Sequence, residues 1–461
     1  MRFVVLCGGS GSRLWPESRE RLPKQFIPFL NKKSLLDLTI ERFISIKNKS
    51  KPIFICNKKH GFLVKNSLNK YNLKADIFLE PEGKNTCAAI YLAAKHCSTY
   101  DSLLIMPSDH LIPDNQKFLE DVLNIEKNLT SNYWVTLGIK PTKPSEAYGY
   151  IKVSQKNKNN LFQVTNFIEK PSKKIASKLI CDDTYFWNAG IFIAKASMIL
   201  SSTKKHAPNI AKHCDNAFDK IRIDKKKDEF NFLDNLFSKI PSESIDYAVL
   251  EYEKNIYLYP FKNKWSDVGS WDSVAEIYKD KPMNKKVVQI DSKNNFIRTE
   301  NRLIATIGLE DLIIIDSDNA TLISKKNQSE NVKLIVKKLL KKNIDEAEEH
   351  SFENRPWGKF ENLLITKHCK VKKITVNPKK RLSLQYHNFR SEHWLVVDGT
   401  ANVHLDGKNL TLTPGQSIDI PKKCHHYIEN KKTKDLIIIE TQLGSYFGED
   451  DIIRIDDPHN R

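Results

Sequence analysis

The segment Phe3-Val4-Val5-Leu6-Cys7-Gly8-Gly9-Ser10-Gly11-Ser12-Arg13, close to the start of the chain, decides the fold class. The apolar run 3–7 predicts a buried strand, and the glycine-rich residues after it predict a tight loop at its carboxyl end. Small residues allow backbone N–H groups to approach phosphate oxygens, and Arg13 can add charge-assisted hydrogen bonds. The loop lacks the Gly-Lys-Ser/Thr ending of a Walker loop, and Leu14 occupies the third glycine position of a dinucleotide fingerprint. By itself it therefore fits a structural turn as well as a phosphate site.

The segments that follow alternate between short apolar runs and helical patterns. Strands are predicted at 53–56, 77–79, 102–106 and 134–139, with helices near 35–45 and 86–97. This alternation predicts a Rossmann-like α/β domain with a mixed, mainly parallel sheet. Ligands of such sheets bind beyond the carboxyl ends of the strands, where the segments 8–13 and 107–110 both lie.

The pattern of apolar and polar residues changes after about residue 280. Short apolar runs alternate with polar turns over 287–325, which predicts an all-β segment like a short β-helix, and a lysine-rich helix is predicted at 328–348. From 355 onward the strand-and-turn pattern returns, which is typical of a compact β-barrel. We therefore predict an α/β domain at 1–283, a β-connector with its helix at 284–348, and a barrel domain at 349–461.

The composition excludes several classes of protein. The 461 residues include 74 basic and 56 acidic ones, and the net charge of +18 first suggests nucleic acid or an anionic surface as a partner. The lysines are spread along the whole chain, however, so a solvated surface is the simpler interpretation, with no nucleic-acid and no membrane partner. The apolar runs fall far short of the roughly 20 residues that span a bilayer. The eight cysteines form no C-x-x-C pair and no signal peptide is evident, so we expect a cytoplasmic protein with reduced thiols.

The first motif does not stand alone. It continues as Leu14-Trp15-Pro16-Glu17-Ser18-Arg19 and then Pro23-Lys24-Gln25-Phe26, which resembles the signature of the sugar-nucleotide pyrophosphorylases, in particular the mannose-1-phosphate guanylyltransferase branch. Further motifs of that family follow in order: Glu80-Pro81-Glu82-Gly83-Lys84-Asn85-Thr86, Pro107-Ser108-Asp109-His110, Tyr148-Gly149-Tyr150-Ile151, Phe167-Ile168-Glu169-Lys170-Pro171, Trp187-Asn188-Ala189-Gly190-Ile191-Phe192, Ser244-Ile245-Asp246-Tyr247-Ala248 and Trp265-Ser266-Asp267-Val268-Gly269-Ser270-Trp271.

This resemblance implies a reaction in which a sugar phosphate oxygen attacks the α-phosphorus of a nucleoside triphosphate and pyrophosphate leaves. Because the nucleophile is already an anion, catalysis depends on bringing anions together and stabilising charge, for which Mg²⁺ and cationic side chains are suited. The resemblance implies that Asp109 and Asp267 bind Mg²⁺, and that Arg13 and Lys24 act on the triphosphate. The implied nucleotide-binding residues are Gly8, Gly9, Ser10, Gly11, Arg13, Arg19, Lys24, Asn85 and Ser108, and the implied sugar-phosphate residues are Gly149, Glu169, Lys170 and Asn188.

A second set of polar residues lies in the predicted barrel. Gln385 and His387 share one face of a strand because side chains alternate, and Glu392 and His426 can complete the set. Two imidazoles, a carboxylate and an amide oxygen suit a divalent transition metal with open coordination positions. The spacing resembles the paired motifs of the cupin barrels, although Lys423 replaces the usual glycine of the turn before His426.

The residues around this set resemble the isomerase domain of the type II, fused mannose-6-phosphate isomerases, from Arg381 to Trp394 and again at Arg355-Pro356-Trp357-Gly358 and 448–454. The resemblance implies a Zn²⁺ or Co²⁺ ion held by Gln385, His387, Glu392 and His426. An aldose–ketose isomerase moves a proton between C2 and C1 through an enediol. Arg390 and His393 are catalytic candidates for contact with the sugar or for proton transfer.

The leading hypothesis is a two-site enzyme that interconverts fructose 6-phosphate and mannose 6-phosphate and makes GDP-mannose from mannose 1-phosphate and GTP. One alternative is a guanylyltransferase whose cupin is a non-catalytic module, because such barrels also persist as binding or oligomerising domains. Another is a nucleotidyltransferase for a different base or sugar. We also expect a homo-oligomer.

Overall fold

The computed structural model describes residues 1–9, 11–46, 50–156, 160–279 and 284–458. It separates into two compact units. The first comprises Met1–Asp316 and Thr321–Lys341, and the second comprises Ser317–Ala320 and Lys342–Arg461. Among the described residues, no helix is both long enough and apolar enough to span a bilayer.

The strands of the first unit up to residue 279 belong, with one small exception, to a single eleven-stranded sheet. They are β1 (Arg2–Leu6), β2 (Pro28–Leu30), β3 (Lys33–Ser34), β4 (Ile53–Asn57), β5 (Asp76–Glu80), β6 (Ser102–Pro107), β7 (Trp134–Ile139), β8 (Tyr150–Lys156), β9 (Phe162–Ile168), β10 (Tyr185–Lys195), β11 (Arg222–Asp224), β12 (Glu229–Asn231) and β13 (Ile256–Pro260). Only β2 and β3 pair separately as a two-stranded ribbon.

Helices cover both faces of this sheet. They are α1 (Leu35–Glu41), α2 (Gly61–Lys70), α3 (Asn85–His96), α4 (Asn115–Lys127), α5 (Lys173–Leu179), α6 (Ala196–His206), α7 (Pro208–Phe218), α8 (Asp234–Phe237) and α9 (Trp271–Tyr278). The first strand shows how the two faces form, since Val4 joins the core beneath α3 while Phe3 and Val5 join the core beneath α1 and α4. A strand buried on both faces is apolar throughout, which explains the unbroken run 3–7.

The sheet order is β11-β12-β5-β4-β1-β6-β10-β7-β13-β9-β8. From β12 to β6 the strands are parallel, and β10 then runs antiparallel to β6 and β7. This confirms the predicted mixed sheet. Five of its strand pairs are parallel and six are antiparallel, so the parallel part is the segment from β12 to β6 together with the pair β13–β7. Because β1 lies between β4 and β6, the loop that follows Leu6 lies beside the loop that follows Pro107, its register partner. The carboxyl ends that carry the first two motifs therefore meet.

The connector consists of β14 (Val287–Ile290), β15 (Phe296–Thr299), β16 (Ile304–Ile307), β17 (Leu312–Asp316), β18 (Thr321–Lys325) and α10 (Val332–Lys341). Parallel pairing of β14 with β16 and of β15 with β17 gives the predicted β-helix-like coil. All five strands lie within the predicted all-β segment at 287–325, and α10 is shorter than the predicted helix at 328–348. Asn343, with φ of 52°, lies two residues beyond α10, and a left-handed residue near this position ends a helix.

A partly buried ion pair attaches the connector to the first motif. Arg298 of β15 donates to Glu17 Oε1 at 2.5 Å and to the carbonyl of Pro28 at 2.9 Å. Although burial lowers the pKa of Arg298, the Glu17 carboxylate raises it above the ordinary value, so the pair stays charged. The connector is thus fixed to the residues that surround the glycine-rich loop.

The second unit contains two six-stranded sheets. Its strands are β19 (Phe352–Arg355), β20 (Gly358–Ile365), β21 (Cys369–Val376), β22 (Lys380–Arg381), β23 (Leu384–Tyr386), β24 (Arg390–Asp398), β25 (Ala401–Leu405), β26 (Lys408–Leu412), β27 (Ser417–Ile420), β28 (His426–Asn430), β29 (Leu436–Gly444) and β30 (Ile453–Asp456). Alternation along β24 points Glu392, Trp394 and Val396 into the interior, where Trp394 and Val396 are each 1% exposed. The predicted cupin barrel is confirmed.

Candidate active sites

The glycine-rich loop that follows β1 has an open surface. Gly8 and Gly9 are exposed, and a Cβ on either would meet no atom within 4 Å. Gly11 differs, because its φ is +62° and a Cβ would come within 2.4 Å of Ser18 Oγ. Gln25 Nε2 donates to the carbonyl of Cys7 at 3.0 Å and holds the end of the strand. Ser10, a predicted nucleotide-binding residue, lies outside the described residues.

Lys24 joins the two aspartates that were predicted to bind Mg²⁺. Its Nζ lies 3.0 Å from Asp109 Oδ2 and donates to the carbonyls of Asp267 at 2.7 Å and Val268 at 3.2 Å. Burial raises the pKa of Asp109, but the Lys24 ammonium and His110 lower it by more. The net result is a pKa below the ordinary value for aspartate. Both aspartates and Lys24, from three separate motifs, thus share one site with an ionised carboxylate.

Aromatic and imidazole groups fix the positions of these carboxylates. Tyr148 donates its hydroxyl hydrogen to Asp267 Oδ1 at 2.8 Å. Trp265 Nε1 lies 3.3 Å from His110 Nδ1, and Arg42 donates to the carbonyl of His110. Burial lowers the pKa of His110 to about 4, against the opposing effect of Asp109 and Asp267, so this imidazole is neutral at neutral pH.

The two arginines of the first motif occupy different environments. The Arg13 side chain is 40% exposed and lies 3.8 Å from Glu330, just before α10. The Arg19 residue is only 2% exposed, and its Nε donates to the carbonyl of Pro16 at 2.9 Å. Arg13 is therefore accessible to an anionic ligand, whereas Arg19 supports the loop from beneath.

Two further predicted nucleotide residues also differ in exposure. Ser108 is fully buried, and its carbonyl accepts from Thr39 Oγ1 at 3.2 Å. Asn85 is exposed at the start of α3, with φ of 64°, and its Oδ1 accepts from the Thr86 amide. Direct contact with a ligand by the Ser108 side chain is disfavoured by this burial, while Asn85 is accessible.

The predicted sugar-phosphate residues form a second polar group. A Cβ at Gly149 would lie 2.3 Å from Glu169 Oε2 and 3.5 Å from the Cβ of Asn188, so glycine is needed where these chains converge. Asn188 Nδ2 donates to Asp246 Oδ1 at 2.8 Å. The Lys170 side chain is 58% exposed, and its Nζ lies 3.0 Å from Glu169 Oε1. The structure therefore brings this predicted set together.

Sequence reasoning assigned no role to three residues of these sites. They are Gln25, Tyr148 and Asp246. Each lies inside a family motif, which could have marked it as functional, but only the fold shows which group it contacts. Burial and the nearby Glu169 carboxylate raise the pKa of Asp246 to about 7. Asp246 is thus a carboxyl of intermediate exposure that is only partly ionised at neutral pH.

Three buried ligands converge in the second unit. His387 Nε2 lies 3.0 Å from Glu392 Oε1, and His426 Nε2 lies 3.6 Å from Glu392 Oε2. Both Nε2 atoms are buried, and within the described part of the chain the carboxylate of Glu392 is the polar group that faces them, while the Nδ1 atoms contact the carbonyls of Asp451 and Cys424. An imidazole held through Nδ1 with Nε2 directed at a carboxylate is typical of a metal ligand. These three donors fit a metal ion, and Gln385 lines a cavity together with Glu392.

A network of charges surrounds this cluster. Burial raises the pKa of Glu392, but His387, His426 and Arg390 hold it well below the ordinary value. Trp394 Nε1 donates to both Glu392 and Glu440 at 3.1 Å. Arg390, with its side chain 1% exposed, donates to the carbonyl of Gly448 and lies 3.4 Å from Glu392 Oε1. The predicted Arg390 therefore lies beside the cluster.

The structure does not bring His393 to this cluster. Its side chain is 42% exposed on the outer face of β24 and lies 2.7 Å from the exposed Asp419. Because alternate residues of a strand point to opposite faces, a position next to Glu392 cannot share its orientation. We therefore withdraw His393 as a catalytic candidate. Lys423 retains the turn that glycine usually makes, with φ of +64°, and its amide donates to the His387 carbonyl at 2.7 Å.

The sequence of the chain matches three known domain families in the order of its motifs. The family described as Nucleotidyl transferase matches residues 2–284, the MannoseP isomerase/GMP-like beta-helix domain matches 285–339, and the Mannose-6-phosphate isomerase C-terminal family matches 342–457. The mannose-1-phosphate guanylyltransferase of Escherichia coli K12 is 36% identical over 99% of this chain and 98% of that protein. The chain belongs to the mannose-1-phosphate guanylyltransferase family.

Other relatives and solved structures are similar to this guanylyltransferase family member along most of its length. The alginate biosynthesis protein AlgA of Pseudomonas aeruginosa is 37% identical over 99% of this chain and 98% of that protein. A solved structure described as mannose-1-phosphate geranyltransferase from Thermus thermophilus matches 74% of this chain and 99% of that one, with 25% identity and a TM-score of 0.65. A mannose-6-phosphate isomerase structure from Helicobacter pylori matches 58% of this chain and all of that one, with 30% identity and a TM-score of 0.51.

Proposed function

We propose that the first unit transfers GMP from GTP to mannose 1-phosphate through the residues assembled around Lys24, and that the second unit interconverts mannose 6-phosphate and fructose 6-phosphate. The observation that supports the first assignment is the bridge from Lys24 to both Asp109 and Asp267. The second rests on the buried cluster of His387, Glu392 and His426.

In the transfer, a phosphate oxygen of mannose 1-phosphate attacks the α-phosphorus of GTP, and pyrophosphate leaves. Asp109 and Asp267 would hold Mg²⁺, which neutralises charge on the phosphates and fits the oxygen donors present. Lys24 positions both aspartates, and Arg13 contacts the triphosphate. Gly8, Gly9 and Gly11 allow the nucleotide to approach the strand end, and Asn85 is accessible to it at the start of α3. These groups reduce the repulsion between two anions.

At the other end of the site, mannose 1-phosphate contacts Gly149, Glu169, Lys170 and Asn188. Asn188 has one amide hydrogen committed to Asp246, and its Oδ1 accepts from Thr136 and Gly190. The side chain is therefore held in one orientation before substrate binds. A fixed polar group of this kind selects among sugar hydroxyls, because a misplaced hydroxyl leaves it unpaired.

Two variants test whether each unit carries one of the two activities. Asp109→Ala is expected to abolish pyrophosphate release from GTP and mannose 1-phosphate while leaving formation of mannose 6-phosphate intact. His387→Ala is expected to do the reverse. Measuring pyrophosphate release with each NTP also tests the choice of base. Guanylyl transfer that survives in Asp109→Ala contradicts the assignment of this residue to Mg²⁺.

In the second unit, Gln385, His387, Glu392 and His426 would hold a divalent transition metal such as Zn²⁺ or Co²⁺, which polarises the sugar carbonyl when bound. Arg390 lines the same cavity and is positioned to contact sugar oxygens. The Glu392 contacts with both imidazoles keep it ionised, as a ligand requires.

The alternative for the second unit is a cupin that binds ligand or assembles subunits without turnover. Purified protein incubated with fructose 6-phosphate and either Zn²⁺ or Co²⁺ separates the two possibilities. Formation of mannose 6-phosphate that is lost in His387→Ala supports the isomerase. Unchanged fructose 6-phosphate in the metal-loaded protein supports the non-catalytic alternative. The homo-oligomer and the cytoplasmic location stay predictions.

A further inference from the structure

A buried ammonium points into the cavity of the second unit. Lys372 on β21 is 5% exposed, and its Nζ lies 3.8 Å from both Glu440 Oε1 and Glu449 Oε1. Both distances exceed a hydrogen bond, and the ammonium itself makes no hydrogen bond to the residues that the structure describes. The ammonium also lies 4.7 Å from the centre of the Phe360 ring. A buried group with three unused donors is costly unless a ligand accepts from it.

Two arginines converge on the same place. Arg355 Nη2 donates to Glu449 Oε2 at 3.2 Å, and Arg454 Nη2 lies 4.0 Å from the same oxygen. Three cations thus surround the single carboxylate of Glu449. The Glu449 side chain is 40% exposed and belongs to a short 3-10 turn, Glu449–Asp451, near the end of the chain. It occupies the position that an external anion would take.

The cation cluster lines a cavity together with Gln385 and Glu392, two members of the predicted metal-ligand set. Lys372, Arg355 and Arg454 belong to the same lining. A ligand that contacts both groups needs an oxygen function for the metal-ligand set and a strong negative charge for the cations. Phosphate monoesters of hexoses have this arrangement, and arginine and lysine are the residues that bind phosphate oxygens.

We propose that Lys372, Arg355 and Arg454 form the subsite for the phosphoryl group of a hexose 6-phosphate, and that Glu449 fills this subsite until the substrate displaces it. The proposal rests on the isomerase function proposed above and names the residues that would select a phosphorylated sugar. The phosphoryl group then satisfies the ammonium of Lys372.

The test is calorimetric binding of mannose 6-phosphate to the full chain, with mannose as the unphosphorylated control. Saturating GDP-mannose and Mg²⁺ occupy the transferase site, so that only the second unit can bind the titrant. Lys372→Gln is expected to weaken binding of mannose 6-phosphate about tenfold or more, because a charge-assisted contact to phosphate is lost. Binding of mannose itself is expected to change less than about twofold, since it lacks the phosphate.

Lys373→Gln is the matched control. Lys373 follows Lys372 on β21, points outward, is 38% exposed and lies 3.7 Å from Glu361 Oε2. Its substitution removes the same charge from the same strand and is expected to leave the affinity for mannose 6-phosphate within about twofold. Equal weakening by both variants attributes the effect to net charge and overturns the subsite.

Glu449→Gln provides a second test that does not depend on the folding of Lys372→Gln. Because the competing anion is removed, the affinity for mannose 6-phosphate is expected to rise about threefold or more. Affinity that is unchanged or reduced in Glu449→Gln overturns the proposed displacement. Mannose 6-phosphate binding that depends on Lys372, in a protein without isomerase turnover, supports the subsite and overturns the isomerase. Isomerase turnover in a protein whose binding of mannose 6-phosphate is insensitive to Lys372 supports the isomerase and overturns the subsite.

Discussion

The ammonium of Lys24 lies 3.0 Å from the carboxylate of Asp109. Lys24 comes from the first motif and Asp109 from the end of β6, and parallel pairing of β1 with β6 brings the two together. The contact keeps Asp109 ionised despite its burial, because the nearby positive charge lowers the pKa that desolvation alone would raise. A carboxylate in this state is ready to bind a divalent cation.

The first prediction concerns the charge of Lys24. Lys24→Met is expected to lower kcat for guanylyl transfer about 100-fold or more, because a cation is lost from a site where negative charge develops. The requirement for Mg²⁺ is also expected to rise, since Asp109 loses the group that favours its ionised form. Initial rates of pyrophosphate release over a Mg²⁺ titration measure both effects. Lys59→Met, at a residue whose side chain is 74% exposed, is the control and should match the wild type.

The second prediction separates two glycines of one loop. Gly11→Ala is expected to lower the free energy of unfolding by about 1–3 kcal/mol, because the backbone conformation is left-handed and the new Cβ contacts Ser18. Gly8→Ala introduces no such contact and should leave the unfolding midpoint unchanged while raising KM for GTP. Denaturant unfolding and GTP kinetics on both variants check this. Equal stability of the two variants contradicts the geometric argument.

The third prediction concerns the sugar end of the site. Gly149→Ala places a methyl group 2.3 Å from Glu169 Oε2, so Glu169 must move. We expect KM for mannose 1-phosphate to rise about tenfold or more, with KM for GTP changed less than about twofold, because a shape change at one subsite affects the ligand it contacts. Parallel substrate titrations measure the two constants. A similar increase in both would indicate a general disruption of the fold.

The fourth prediction is a pH dependence caused by Asp246. The pKa of Asp246 is raised from its ordinary value of 3.8 to about 7 in the folded protein. At a pH between these two values, the folded state keeps the proton of this carboxyl and the unfolded state has lost it. Stability therefore falls as pH rises from 3.8 to about 7 and does not change further above that. Asp246→Asn removes this titration, so its stability relative to the wild type should increase across the same window.

Denaturant unfolding at about pH 5 and about pH 8 measures this difference. Asp183→Asn is the control, because the Asp183 side chain is 99% exposed and its replacement should leave the pH dependence as in the wild type. A constant difference between Asp246→Asn and the wild type at both pH values would contradict the buried titration.

The fifth prediction concerns metal in the second unit. The buried Nε2 atoms of His387 and His426 are both directed at Glu392, which predicts that a chelator lowers the melting temperature and that Zn²⁺ or Co²⁺ restores it. At a free metal concentration about 100 times Kd, the stabilisation is about 3 kcal/mol. Differential scanning calorimetry measures the shift. His387→Ala should show no response to metal, whereas His393→Ala, on the outer face, should respond like the wild type.

Several residues could be placed from the sequence because covalent neighbours determine their surroundings. The unbroken apolar run before Gly8 indicated a strand buried on both faces, and the alternation of Gln385 and His387 indicated a common orientation in the barrel. The same alternation, applied to β24, would have excluded His393, since it directly follows Glu392.

What the sequence alone determined is the order of the domains, the sheet class and the residue types at each site, because local periodicity and motif spacing carry that information. The tertiary structure decided which of those residues meet. Lys24 contacts Asp109 and Asp267 because strand order brings distant loops to one edge of the sheet, and Arg19 faces the protein interior although it shares a motif with the accessible Arg13. Lys372 lies in no quoted motif, and only closure of the barrel places its ammonium beside Glu449. Contacts between distant segments depend on packing of the whole chain, and no local pattern specifies them.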